Sequence, residues 1–157
     1  MSDDSIVYLT QEGLQKIKEE LEHLKTHKRV ELSHRLAAAV AMGDLSENAD
    51  YHYAKQEQGF VEGRIKTLED SLRRAKIIED RRGAEEVHVG SVVSVVVDGE
   101  DEPETYHIVG AHEADPRNGR ISNQSPIGRA LLGAKVGQTV VAHTPAGRLH
   151  LQIQAIQ

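Results

Sequence analysis

The chain has no cysteine, which removes disulfides and thiolate zinc sites from consideration and fits a reducing compartment. Aromatic residues are only 3% of it, with Phe60 the sole phenylalanine and no tryptophan, so little is available for stacking on nucleic-acid bases. Positive charge is not in excess either. The net charge of -6 argues against a broad basic face for free nucleic acid, while leaving room for a local contact inside a larger complex. No stretch approaches the roughly 20 apolar residues of a membrane span, and the acidic start, Met1 to Ser5, has no apolar run of the signal-peptide kind. Composition therefore predicts a soluble, cytoplasmic protein with no membrane partner.

What the 157 residues do contain is a mirror pattern. Leu14, Ile17, Leu21 and Leu24 step by three and four, the spacing of a coiled-coil seam, and Ile65, Leu68, Leu72 and Ala75 repeat it. Paired in reverse order, these positions keep a constant sum of 89, as do Lys28 with Val61, Leu36 with Tyr53, and Val40 with Ala49. A constant sum describes two helices folded back on each other, here with the bend near position 44.5. The first helix is expected from about Gln11, capped by Thr10, to about Met42, stopped by Gly43. The second is expected from near Leu45 to near Asp80, and Ile6 to Leu9 form an apolar lead-in packed on the first. At about 1.5 Å per residue such helices make a rod of roughly 45–50 Å. Between Leu24 and Leu36 the steps become consecutive fours, through Lys28 and Leu32 and on to Val40, which predicts a straighter distal half.

The pattern changes after Arg81–Glu86, which reads as a linker. Val92–Val97 and Glu104–Val109 read as a strand hairpin around an acidic, solvated turn, and Arg120–Ser122 as a short extended segment. Ser125 before Pro126 signals an N-cap with proline at the first helical position, opening a short helix through Leu132 that Gly133 closes. Thr139–His143 and Leu149–Ala155, joined by a turn at Pro145-Ala146-Gly147, complete the set. The fold class is thus α+β: an N-terminal antiparallel α-helical coiled-coil hairpin over residues 1–80 with an acidic tip at 43–50, a linker at 81–86, and a C-terminal globular domain at 87–157. That domain is a mostly antiparallel sheet with one short helix.

The tip, Gly43-Asp44-Leu45-Ser46-Glu47-Asn48-Ala49-Asp50-Tyr51, supports two readings. Asp44 can cap the second helix with Glu47 completing a capping box, while Asp50 complements the helix dipole. Alternatively, Asp44 and Glu47 are presented at the end of a lever to hold part of a magnesium coordination shell, with a partner supplying the remainder.

The tip motif, with Ala54-Lys55-Gln56-Glu57-Gln58-Gly59 and Glu62-Gly63-Arg64-Ile65 behind it, resembles the signature of bacterial transcript cleavage factors of the GreA/GreB type. Ser122 to Gly133 resembles the second motif of that family, and the likeness covers nearly the whole chain in the right order. The resemblance implies a rod that enters the secondary channel of a backtracked RNA polymerase. There Asp44 and Glu47 help the polymerase hold its second Mg2+ and position water, so that the polymerase cleaves the nascent RNA 3′ end. On this view the chain is not itself an enzyme but activates the endonuclease of its partner, binds Mg2+ only in the complex, and acts as a monomer. Gly43, Leu45, Asn48, Asp50 and Tyr51 support the tip, and Lys55 faces the RNA. The second half is implied to be an FKBP-like domain that docks on the channel rim through Ser125, Pro126, Ile127, Arg129, Leu131 and Leu132. An isomerase pocket of that fold is aromatic-lined, and Tyr106 is the only aromatic residue after Phe60, which excludes that activity.

Two alternatives remain open at this point: a channel-binding homologue that inhibits cleavage, and a coiled-coil adaptor whose tip acids only cap a helix. Lys25, Lys28, Arg29 and Arg35 read as charges that solvate the rod and pair between helices. His23 and His27 have a spacing that can chelate zinc, but the mirror rule puts Lys66 and Glu62 opposite them and supplies no third ligand.

Overall fold

The computed structural model describes residues 6–44, 47–81 and 83–157; the expected start of the second helix near Leu45, and Arg82 of the linker, lie outside the described residues. The chain divides into two compact units, one of residues 14–74 and one in which the segment ending at Gly13 joins Ala75–Gln157. By contacts the division falls between Arg74 and Ala75.

In the helical unit, α1 (Gln11–His23), a π-helical turn (Leu24–Lys28) and α2 (Arg29–Ala41) succeed one another and face α3 (Ala49–Arg73). Thr10 caps α1 as expected: the Gly13 N–H donates to its hydroxyl at 3.0 Å. The π turn falls where the hydrophobic spacing slips. There the Arg29 N–H reaches back five residues to the Leu24 carbonyl, and the wider turn absorbs the surplus residue of the four-residue steps. The α2 seam then resumes a four–three rhythm from Leu32 through the half-buried Leu36 to Ala39. This corrects the distal pairs: Val40 is 51% exposed and Tyr53 67% exposed, so neither lies in the seam. Leu32 packs with Val61 and Ile65, against which Leu21 and Leu24 also lie.

Helix α3 ends at Arg73, not near Asp80, because a longer-range pairing captures the residues after it. β2 (Ala75–Ile77) lies parallel to β1 (Val7–Leu9), and the Ile78 N–H donates to the Leu9 carbonyl at 2.8 Å. The segment read as an apolar lead-in is thus a strand, with Leu9 fully buried, and Ala75 belongs to β2.

The rest of the second unit is a five-stranded sheet in the order β5-β4-β3-β7-β6. β3 (Val92–Val97), β4 (Glu104–Val109), β5 (Arg120–Ser122), β6 (Thr139–Thr144) and β7 (Gly147–Ile156) pair antiparallel, except for the parallel β4–β5 pair. On the central β3, Val93, Val95 and Val97 are buried and the residues between them half-buried, the alternation of a sheet with one covered face. They form a core with Ile108, Ile121, Leu151 and Ile153, and Leu131 of α4 (Pro126–Leu131) covers it. Gly110 and Gly128 allow close crossings: a Cβ would sit 1.7 Å from the Tyr8 carbonyl oxygen at the first and 2.1 Å from that of Ser122 at the second.

Candidate functional site at the hairpin tip

The tip is built from the two helix ends. The last turn of α2 closes with the Met42 N–H on the Ala39 carbonyl and the Gly43 N–H on that of Val40, at 3.1 and 3.3 Å. Gly43 then takes φ +112°, a conformation that side-chain-bearing residues rarely adopt. At the other end, Asn48 is the N-cap of α3: its side-chain oxygen accepts the Tyr51 N–H at 3.1 Å. Its amide donates to the Ala39 carbonyl at 2.7 Å, so one side chain ties the start of α3 to the end of α2. The capping box expected of Asp44 and Glu47 is thereby corrected, since α3 begins at Ala49 and its cap is Asn48.

Asp44 and Glu47 are exposed on the two sides of the bend, while Leu45, expected as a supporting residue, lies outside the described residues. Asp50, also exposed, occupies the first turn of α3, where the helix dipole favours negative charge. Tyr51 is half-buried and meets His52 edge-on, with ring centroids 5.6 Å apart. Two exposed carboxylates beside an amide committed to capping suit a hard, oxygen-seeking cation such as Mg2+. Among the described residues there is no group of three or more His, Cys, Asp or Glu that could hold a metal ion.

Behind the tip, Lys55 is exposed, with its ammonium 3.5 Å from the Gln58 side-chain oxygen. The other basic residues singled out in the sequence are engaged across the hairpin. Arg29 makes a two-pronged pair with Glu62, both contacts at 2.8 Å, and Arg64 does the same with Glu20 at 2.7 and 3.1 Å. Glu57 receives both Lys28 at 3.0 Å and Arg35 at 2.7 Å, and Lys25 pairs with Glu69. Hydrogen bonds from Lys28 and then Arg35 hold the Glu57 carboxyl below the usual range, and Arg29 does the same for Glu62.

In the second unit, Ser125 caps α4 by accepting the Gly128 N–H at 3.1 Å, and its hydroxyl donates to the Ser122 carbonyl at 2.6 Å. Pro126 and Arg129 are exposed, and Ile127 and Leu132 are partly buried against the core. Leu131 is fully buried, which corrects its place among the docking residues: a side chain at the centre of the core touches no partner. The turn from Asp98 to Glu104 is exposed throughout, as expected of a solvated loop.

A cleft of about 710 Å³ in this unit, lined by Thr10, Arg81, His88 and His107 among others, contains none of the residues expected to act. Nothing in the spacing of those residues marked it. Within the unit, Ser91 lies 2.9 Å from Nδ1 of His88, but its hydroxyl is buried and also accepts the His88 N–H at 3.0 Å, a structural tie.

The architecture is that of a two-unit α+β protein, a helical hairpin with acids at its bend joined to a five-stranded sheet capped by one short helix. Residues 7–77 match the N-terminal domain of the transcription elongation factors, and residues 82–157 match the GreA/GreB C-terminal domain. The chain belongs to the GreA/GreB family of transcription elongation factors. It is 49% identical over 156 residues to transcription elongation factor GreA of Bacillus velezensis, covering 99% of both chains. It is 51% identical over 152 residues to that of Caldanaerobacter subterraneus, covering 96% and 97%. Among solved structures it is similar to GreA factor homolog 1 of Thermus thermophilus, with 32% identity, TM-score 0.45 and coverage of 98% and 99%.

Proposed function

We propose that this chain stimulates RNA polymerase to cleave backtracked RNA, its hairpin entering the secondary channel and presenting Asp44 and Glu47 at the polymerase active site. The observation that carries this reading is the division of roles at the tip: Asn48 caps α3, and Asp44 and Glu47 are displayed at the bend. Family membership supports it, because curated relatives at about half identity over the full chain are named transcription elongation factors.

In this mechanism the nuclease is the polymerase, and the chain contributes oxygen ligands. Asp44 and Glu47 would hold the second Mg2+, which, when bound, stabilises the attacking and leaving oxygens of phosphodiester hydrolysis. Asn48 fixes the helix ends between which the two acids project, and Asp50 and Tyr51 stabilise the first turn of α3. Lys55, exposed behind the tip, offers its charge to the RNA backbone. The exposed Pro126 and Arg129, with the accessible parts of Ile127 and Leu132, form the docking face of α4, which Ser125 orients through its cap. A single copy suffices for these roles.

The test is to add the chain to stalled, backtracked polymerase complexes with Mg2+ and track the RNA 3′ end. Shortened transcripts that regain elongation are expected. The Asp44→Asn, Glu47→Gln double variant should still bind and should lose stimulation. A double variant that stimulates like the parent would remove the metal role, and suppression of intrinsic cleavage by the parent chain would make it an inhibitor.

A further inference from the structure

We propose that His23 and His27 form a chelate for a divalent transition-metal ion on the shaft of the hairpin, separate from the acids of the tip. His23 is the last residue of α1 and His27 lies inside the π-helical turn Leu24–Lys28; both are exposed. Their rings approach with centroids 5.4 Å apart and planes tilted by 36°. A tetrahedral ion with metal–nitrogen bonds of about 2.0–2.1 Å places each imidazole centroid about 3.2 Å from itself, and hence the two centroids about 5.2 Å apart. The observed centroid separation of 5.4 Å is close to that of a bound pair.

The electrostatic setting favours capture. Three cations near the pair are matched by carboxylates: Lys25 pairs with Glu69, Lys28 with Glu57 and Glu31, and Arg29 with Glu62. An incoming dication therefore meets these three charges already paired, with the exposed Lys66 of α3 as the remaining nearby cation. The π turn is the second structural argument. Such turns are rare in α-helices and concentrate at functional positions, and here the turn contains His27, one of the two imidazoles.

Ligand type sets the ion. Imidazole nitrogens select Cu2+, Ni2+ and Zn2+, with Cu2+ the tightest of the series, whereas Mg2+ goes to carboxylate and water oxygens. The shaft and the tip thus discriminate between two classes of metal. Two protein ligands leave the remaining positions to water, which makes this an exchangeable site. An ion bridging His23 and His27 also ties the end of α1 to the π turn and stiffens the irregular segment of the shaft.

The test is calorimetric titration of the full chain with CuCl2, NiCl2 and ZnCl2 in a buffer that does not bind metal. The parent chain should bind one ion per chain at this site, in the affinity order expected for nitrogen ligands. His23→Gln and His27→Gln should each weaken that binding by roughly tenfold or more. His34→Gln, altering another exposed histidine of the same arm of the hairpin, should leave it unchanged. Thermal melts give a second readout: metal should raise the melting temperature of the parent and not that of either variant. Absence of binding, or binding and thermal shifts that are the same in the parent and both variants, would overturn the proposal.

Discussion

Replacing Asn48 by alanine removes two bonds at once. The side-chain oxygen no longer receives the Tyr51 N–H, and the Ala39 carbonyl at the end of α2 loses its 2.7 Å donor. Loss of an N-cap costs about 1 kcal/mol, within a range of roughly 0.5–2, and the second hydrogen bond contributes about 1 kcal/mol more. The expected destabilisation is therefore about 2 kcal/mol. For a unit of this size that corresponds to a fall in melting temperature of roughly 8–16 °C. Asn48→Asp separates the two contributions: the carboxylate still caps α3 but presents an acceptor to the Ala39 carbonyl, so about half the loss should remain. Asp44→Asn with Glu47→Gln should cost less than Asn48→Ala, because neither side chain is the cap of α3. Far-UV circular dichroism of the full chain in thermal and urea melts measures all three. If Asn48→Ala melts with the parent, or if the double variant is as destabilised as Asn48→Ala, the assignment of the cap to Asn48 is wrong.

Gly110→Ala should destabilise the sheet unit by about 1–3 kcal/mol, because the new methyl would lie 1.7 Å from the Tyr8 carbonyl oxygen although the backbone, with φ −72°, tolerates it; urea denaturation reads this directly. Leu131→Ala should cost about 2–5 kcal/mol as a core truncation, while Arg129→Ala should leave the fold intact and weaken polymerase binding in a pull-down. Stability should also depend on pH in two windows. Glu57 and Glu62 have carboxyls held low by Lys28 with Arg35 and by Arg29, so the unfolded chain takes up these protons first on acidification. Their stabilisation is present above the ordinary carboxylate range and is lost as pH falls through the lower folded values, which helix melts from pH 6 to 3 would register and Glu57→Gln would flatten. Burial, and then the Arg120 charge, lower the His107 imidazole, with the Gly90 backbone and Glu113 acting in the opposite direction. The sheet unit should accordingly lose stability as pH falls below the ordinary histidine range, and a His107→Gln variant compared with the parent by urea melts at pH 7.5 and 5.5 should show a smaller loss.

Where local chemistry dominates, the sequence was legible. Ser125-Pro126 specifies a cap and a first helical turn that nothing elsewhere contests, and α4 begins there. The valines of 92–97 have strong β propensity and fill the central strand. The seam from Leu14 to Leu24 also leads to the observed hairpin, and the slip after Leu24 marks the π turn. Its consequence was not legible, because a surplus residue can be accommodated by drifting towards Val40 or by one wide turn that returns the seam to Ala39. The end of α3 was hidden for a different reason. Ala75–Ile77 pairs with Val7–Leu9, and helical periodicity carries no information about a partner so distant in the chain. The cap of α3 was ambiguous because Asp44, Ser46, Asn48 and Asp50 are all good N-cap residues within seven positions.

That ambiguity has a physical resolution in the geometry of the bend. The side chain joining the two helices faces opposite demands: the start of α3 presents unsatisfied N–H groups and positive potential, and the end of α2 presents unsatisfied carbonyls and negative potential. Aspartate answers the first demand and aggravates the second, since both of its oxygens are acceptors. Serine has one oxygen and a shorter reach. Asparagine carries an acceptor and a donor on one planar group, and at position 48 its oxygen turns to Tyr51 while its nitrogen turns to Ala39. A neutral cap has a further consequence for Asp44 and Glu47. An acid serving as both cap and metal ligand would divide its lone pairs between the helix and the ion, and metal binding would then cost about the worth of the cap. With the cap on Asn48, the start of α3 and the end of α2 are tied together without drawing on the exposed carboxylates of Asp44 and Glu47 for that cap.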